Sequence, residues 1–179
     1  MAMMRAVGMD SYGGADVLHY QEMPRPEVGP GELLVRVRAT TVNPFDTVMR
    51  AGYVAGWYQY AFPLVPGLDV AGVVEEVGAD VEGFAPGDEI FARLDPARNG
   101  ANAEYAVVAT DDAAPKPPSL SFVEAAALAQ SGLSAWRSLV DDDLLLPGQT
   151  VLIHGGAGGV GSIAIQLAKT RGVHVLALI

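Results

Sequence analysis

Short alternating stretches fill the first two thirds of the chain, and longer apolar blocks fill the rest. Met3–Met9 predicts a first strand, closed by the turn-rich Ser11-Tyr12-Gly13-Gly14, and Val17–Glu22 predicts a second. Glu32–Val42 alternates most regularly. Leu34, Arg36, Arg38 and Thr40 fall on one face, and Val35, Val37, Ala39 and Thr41 on the other. Pro30-Gly31 marks the turn before it. Val70–Val77, Glu89–Ala92 and Glu104–Ala109 read as further strands, with Pro86-Gly87 placed as a type II turn requires. Many short strands with turn signals between them predict a barrel-like or sandwich-like β domain over residues 1–120.

The period changes near residue 119. Ser121 and Glu124 form a capping box, and the apolar run from Ala125 to Val140 predicts a largely buried helix, broken near Gly132. Asp141-Asp142-Asp143 reads as a solvated charge run, because carboxylates are unfavourable at a negative helix terminus. The helix is expected to stop before it. Val151–His154 predicts a short buried strand, Gly155–Gly161 a loop, and Val160–Arg171 a helix with Val160, Ala164, Leu167 and Ala168 on one face. Gly172 suits the position after that helix, and Val173–Ile179 reads as a second buried strand. The fold class is therefore mixed: a β domain, then over residues 121–179 a connecting helix and one β-α-β unit. Two parallel strands leave both edges open. Exposing Val173, Val175, Leu176, Leu178 and Ile179, at roughly 1.5–3 kcal/mol each, approaches the stability of a whole domain. The sheet is thus expected to be completed by further residues or by another chain.

Composition narrows the function. Half of the 179 residues are apolar, enough to bury a core. The net charge of −10 disfavours nucleic acid and anionic membrane surfaces as partners. The absence of cysteine excludes disulfides and every Cys-ligated zinc or iron–sulfur site. With no apolar run near the ~18 residues of a spanning helix, and no signal-peptide pattern, the expectation is a soluble cytoplasmic protein.

The sharpest motif is Gly156-Ala157-Gly158-Gly159-Val160-Gly161, a G-x-G-x-x-G between a predicted strand and a predicted helix. Its first glycine allows a tight turn, its second admits a pyrophosphate close to the backbone, and its third lets helix and strand pack closely. The helix N-terminus then offers free N–H groups and partial positive charge to phosphates. A glycine-rich turn without a ligand is the plainer alternative. Ser162 after the last glycine excludes the lysine-bearing phosphate loop of nucleotide hydrolases. The residue that reads the ribose 2′ position is expected about 20 residues after the first glycine, where the sequence reaches Ile179. NAD and NADP are therefore not separated.

Several linked segments carry a family resemblance. They are Pro30-Gly31-Glu32-Leu33-Leu34-Val35, Val42-Asn43-Pro44-Phe45-Asp46, Arg50-Ala51-Gly52-Tyr53, Pro66-Gly67-Leu68-Asp69-Val70-Ala71-Gly72, Gly87-Asp88-Glu89-Ile90, Ala103-Glu104-Tyr105, Lys116-Pro117-Pro118, Gly132-Leu133-Ser134-Ala135 and the glycine loop. With them the chain resembles the medium-chain dehydrogenase/reductase superfamily, in its zinc-free quinone oxidoreductase (zeta-crystallin-like) branch. The resemblance implies a GroES-like β-barrel domain holding substrate, then a Rossmann domain holding NADPH, with NADH not excluded. It also implies a chain well beyond 300 residues, so that this one stops after the second Rossmann strand, and a homodimer for the full-length protein. Zinc-dependent relatives place Cys and His-Glu where this chain has Asp46 and Leu68-Asp69. Leu68 cannot ligate, and His19, His154 and His174 are scattered, whereas a catalytic zinc needs three protein ligands. No metal is therefore expected, and reduction of an electron-poor acceptor is favoured over alcohol oxidation.

By this resemblance Asn43 lies beside nicotinamide and substrate, where its amide would donate to a carbonyl gaining negative charge; its alternative role is a turn cap before Pro44. Asp46 is expected to bond backbone around its loop. Ser134 stands where the family usually has Thr and would lie under the nicotinamide, or else bond its i−4 carbonyl. The cofactor set is then Asn43, Ser134, Gly156, Gly158, Gly159, Val160 and Gly161. Tyr53, Trp57, Tyr58, Tyr60 and Phe62 put five aromatics within ten residues. Tyr53, Trp57, Tyr58 and Tyr60 form a candidate pocket for a flat acceptor, with the Tyr53 hydroxyl as a catalytic hydrogen-bond donor; the alternative is a hydrophobic plug or lid. The leading expectation is hydride transfer from NAD(P)H to a quinone or α,β-unsaturated carbonyl. Alternatives are an enoyl-thioester reductase and a non-catalytic, crystallin-like nucleotide-binding protein.

Overall fold

The computed structural model of the chain describes residues 2–141 and 145–179. They divide into two compact units, Met1–Ala126 and Ala127–Ile179. In the first, β1 (Met3–Met9) and β2 (Leu18–Pro24) pair antiparallel as a two-stranded sheet. Strands β3 (Glu32–Ala39), β4 (Asp69–Val77), β5 (Glu89–Arg93), β6 (Tyr105–Ala109) and β7 (Ala113–Pro115) form a five-stranded antiparallel sheet in the order β6-β3-β4-β5-β7. Together they make a half-barrel. A helix α1, Pro44–Arg50, follows β3; neither α1 nor β7 is expected from sequence.

β3 departs from strict alternation. Its register against β4 shifts between Leu34 and Val35, so Leu33, Leu34 and Val35 are all buried in succession. A bulge of this kind re-aims side chains that the pleat would send outward. Leu33 and Val35 join Val70, Val74, Ile90 and Val108 in the main core. The Ala85–Asp88 turn behaves as its residues predict: Gly87 has φ +100°, and the Asp88 N–H reaches the Ala85 carbonyl at 3.1 Å.

Helix α2, Phe122–Leu139, is continuous through Gly132, so the expected break is absent. A single glycine costs about 1 kcal/mol relative to alanine, which buried neighbours offset. The helix is also not buried all round. Ala125, Ala126, Ala129 and Ala135 are covered, while Val123, Leu133 and Trp136 are exposed. Its N-terminal box is formed: the Glu124 carboxylate accepts from the Ser121 N–H at 2.8 Å, and the Glu124 N–H donates back to the Ser121 hydroxyl at 3.2 Å. The helix ends before an exposed Asp141; Asp142 and Asp143 of that charge run lie outside the described residues.

The second unit holds β8 (Thr150–Ile153), α3 (Gly159–Thr170) and β9 (His174–Ala177), with β8 and β9 parallel. Its core gathers Ala135, Leu139, Ile153, Ala164, Ala168 and Val173. Val160 does not share that buried face; it is exposed, and Gly161 is buried in its place. The expected burial of the last strand holds for Val173 but fails beyond it. Leu176, Leu178 and Ile179 are exposed, because no neighbouring strand or helix covers them among the described residues.

Candidate functional site

The glycine loop joins β8 to α3. Gly155 takes φ +67° and bends the chain out of the strand. The later glycines answer to different constraints. A Cβ on Gly161 would overlap the Gly155 carbonyl oxygen and sit 2.9 Å from the Gly156 Cα. A Cβ on Gly156 would press on Ala177 at 3.0 Å and Ile165 at 3.2 Å. These two positions let helix, loop and strand close on one another. Gly158, the helix N-cap, is exposed, and a Cβ there would meet only the Gly155 oxygen at 3.2 Å. Gly158 is thus crowded on its inner side by one backbone oxygen, far less than Gly161, and its exposed outer side leaves the bend open. The first turn of a helix leaves its N–H groups without intrahelical partners; here these belong to Gly159, Val160 and Gly161. The residues present fit a diphosphate: open amides, a helix N-terminus and a bend without side chains.

Helix α2 carries Ser131 and Ser134. The Ser134 hydroxyl donates to the Gln130 carbonyl at 2.9 Å, the i−4 back-bond, and accepts from Gln130 Nε2 at 3.3 Å. Ser131, which sequence reasoning passes over, places its Oγ 3.0 Å from where a Cβ on Gly159 would lie. The available signal was the spacing alone, since Ser131 sits about one turn before Ser134. His154, at the end of β8, is exposed.

In the first unit, Asn43 is the N-cap of α1, followed by Pro44 at the first helical position. The Asn43 backbone N–H donates to Asp46 Oδ2 at 2.7 Å, and the Gly67 N–H donates to Asp46 Oδ1 at 3.1 Å. Asp46 thus binds backbone, as expected for its loop. Burial pushes its carboxyl above the usual range, against the pull of these two amides. The Asn43 side-chain amide donates to Asp69 Oδ2 at 2.9 Å and to Thr41 Oγ1 at 3.2 Å. The Thr41 hydroxyl itself donates to the same Asp69 oxygen. Asp69 is 2% exposed, and the Thr40 hydroxyl holds its carbonyl at 2.7 Å.

The aromatic segment divides. Tyr58 and Tyr60 turn inward onto Met9, Met49, Val54 and Leu64, and Phe45 meets Tyr58 edge-on at 6.2 Å. The Tyr60 hydroxyl is buried without a hydrogen-bond partner, and burial pushes its pKa up to about 12. Tyr53 and Trp57 point outward, 80% and 77% exposed. Plug and exposed platform are therefore both present, the platform built from the first two aromatics of the segment and the plug from the next two. Among the described residues no three His, Asp or Glu side chains gather as a metal site, and no helix is long and apolar enough to cross a membrane.

Residues 29–118 match the alcohol dehydrogenase GroES-like domain family. The chain is 38% identical to a chloroplastic quinone-oxidoreductase, QR1, of Triphysaria versicolor, over 98% of this chain and 55% of that protein. It superposes on the quinone oxidoreductase from Coxiella burnetii with a TM-score of 0.90 at 36% identity, covering 98% of this chain and 56% of the other. It also superposes on the mycobacterial protein Rv1454c, solved complexed with NADPH, with a TM-score of 0.84 at 36% identity, over 97% of this chain and 51% of that one. The chain spans about half the length of the curated relatives it matches. It belongs to the alcohol dehydrogenase GroES-like domain family.

Proposed function

We propose that the protein is an NAD(P)H-dependent, zinc-independent reductase of quinones or α,β-unsaturated carbonyls. The observation that carries this reading is the exposed bend at Gly158, in front of the N–H groups of Gly159, Val160 and Gly161 that the first helical turn leaves without intrahelical partners. NADPH is the favoured cofactor, as in the mycobacterial relative, and NADH is the alternative. When bound, the dinucleotide supplies a hydride.

The chain's own residues do the rest. The three amides hold the diphosphate. Asn43 donates to the acceptor oxygen as negative charge grows on it. Tyr53 and Trp57 offer exposed rings for a flat acceptor to stack on, and the Tyr53 hydroxyl donates to its carbonyl. Positioning at near-attack distance provides most of the acceleration, and a quinone oxygen takes its proton from water. Metal independence is supported by the donor set. Asp46 has both oxygens on backbone amides, Leu68 carries no donor, and the chain has no cysteine.

The test is Gly158→Val. The side chain fills the bend, so NADPH affinity, read by quenching of tryptophan fluorescence, is expected to fall at least about tenfold while the far-UV circular dichroism stays that of the wild type. Unchanged affinity refutes the cofactor site. NADPH binding without oxidation by either a simple benzoquinone or a small enone would instead favour the non-catalytic, nucleotide-binding reading.

A further inference from the structure

We infer that Asp69 is a positioning residue: directly and together with Thr41 it fixes the orientation of the Asn43 side-chain amide and leaves one of its N–H bonds free to donate. The inference rests on the proposed role of Asn43 and deepens it.

Asn43 Nδ2 donates to Asp69 Oδ2 at 2.9 Å, and that bond fixes an amide orientation left open in most asparagines. The Thr41 hydroxyl proton is committed to that same Asp69 oxygen, so Thr41 Oγ1 meets Asn43 as an acceptor, at 3.2 Å. Because the Thr41 and Asp69 oxygens are hydrogen-bonded to each other, they lie in nearly one direction from Nδ2. They share one N–H. The second N–H of a planar amide diverges by about 120° from sp² geometry, and Nδ2 has no other hydrogen-bond partner among the described residues. A chain of hydrogen bonds from Asn43 through Thr41 to a carboxylate also polarises the amide and strengthens its remaining donor.

The clamp is itself anchored. Thr40 holds the Asp69 main chain while Thr41 holds its side chain. Two adjacent threonines leaving β3 thus fix both parts of the first residue of β4. Asp69 is 2% exposed, so its carboxylate does not touch substrate directly. Its effect passes through Asn43.

The experiment has two arms. In ¹⁵N–¹H spectra of the wild-type chain, the two Asn43 side-chain protons are expected to be well separated, one shifted downfield by the carboxylate. In Asp69→Asn the separation should collapse while the backbone amide spectrum is retained; an unaltered Asn43 pair overturns the inference. In NADPH oxidation with a benzoquinone, Asp69→Asn is expected to lower kcat at least about tenfold, with KM for NADPH within about twofold. Asn43→Ala/Asp69→Asn should be no slower than Asn43→Ala alone. Losses that multiply show Asp69 acting independently of Asn43 and overturn the inference. Thr41→Val, which removes the hydroxyl that bonds Asp69, repeats the test should Asp69→Asn fold poorly. An altered amide pair combined with full turnover in Asn43→Ala leaves the Asp69 clamp standing and refutes the proposed role of Asn43.

Discussion

Gly158 and Gly161 stand three residues apart and answer to different forces. Gly161→Ala would drive a Cβ into the Gly155 carbonyl, and overpacking of this kind costs about 1–3 kcal/mol. A larger fall in melting temperature is expected for it than for Gly158→Ala, whose Cβ meets one atom at 3.2 Å. Equal melting temperatures would contradict the division of roles. Asp46 gives a pH-dependent counterpart. Burial raises its carboxyl pKa in the folded state, so the native protein keeps that proton to higher pH than the unfolded chain does. Stability from this group is fully present below the ordinary carboxylate range and is lost as pH rises through the raised value. Calorimetry of Asp46→Asn against wild type should show the variant gaining relative stability as pH rises above the ordinary carboxylate range; a difference independent of pH would remove the burial argument. Of these residues, the glycines were legible because their meaning lies in local spacing. Asp69 and Thr41 were not read as partners, because the pairing spans 28 positions and rests on two strands meeting.

At the scale of elements, capping chemistry was the most faithful guide. Ser121 and Glu124 form the expected box, each bonding the other's backbone N–H. Ser121→Ala is expected to cost about 1 kcal/mol, seen as a lower denaturation midpoint at unchanged slope; no shift would mean that the helix is held by packing alone. The same chemistry marks α1, whose start carries Asn43, Pro44 and Asp46. That helix escaped notice because seven residues are too few to establish a period. β7, at three residues, is shorter still. Elsewhere periodicity was right about type and wrong about faces. The apolar run of α2 reads as buried throughout, yet its alanines are covered and Val123, Leu133 and Trp136 are not. Val160 matches its helical face by spacing, but the first turn of α3 points at the loop, and Gly161 packs there instead.

For the whole molecule, the two units carry different liabilities. The first has a closed core around Leu33, Val35, Val70 and Ile90. The second presents Leu152, Leu176, Leu178 and Ile179 on a sheet of two strands, and an apolar surface of this sort attracts partners or aggregates. These 179 residues are expected to bind an environment-sensitive dye such as anilinonaphthalene sulfonate. Leu176→Lys/Leu178→Lys should reduce the signal without lowering the melting temperature; an undiminished signal would place the apolar surface elsewhere. The division between the units falls inside α2, between Ala126 and Ala127. Ala125 and Ala126 pack with Ala71 on one side of that division, while Ala135 and Leu139 belong to the other core. A chimaera spliced between Ala126 and Ala127 would therefore sever eighteen helical residues, whereas a junction ahead of Ser121 carries the helix over whole, with the box that starts it.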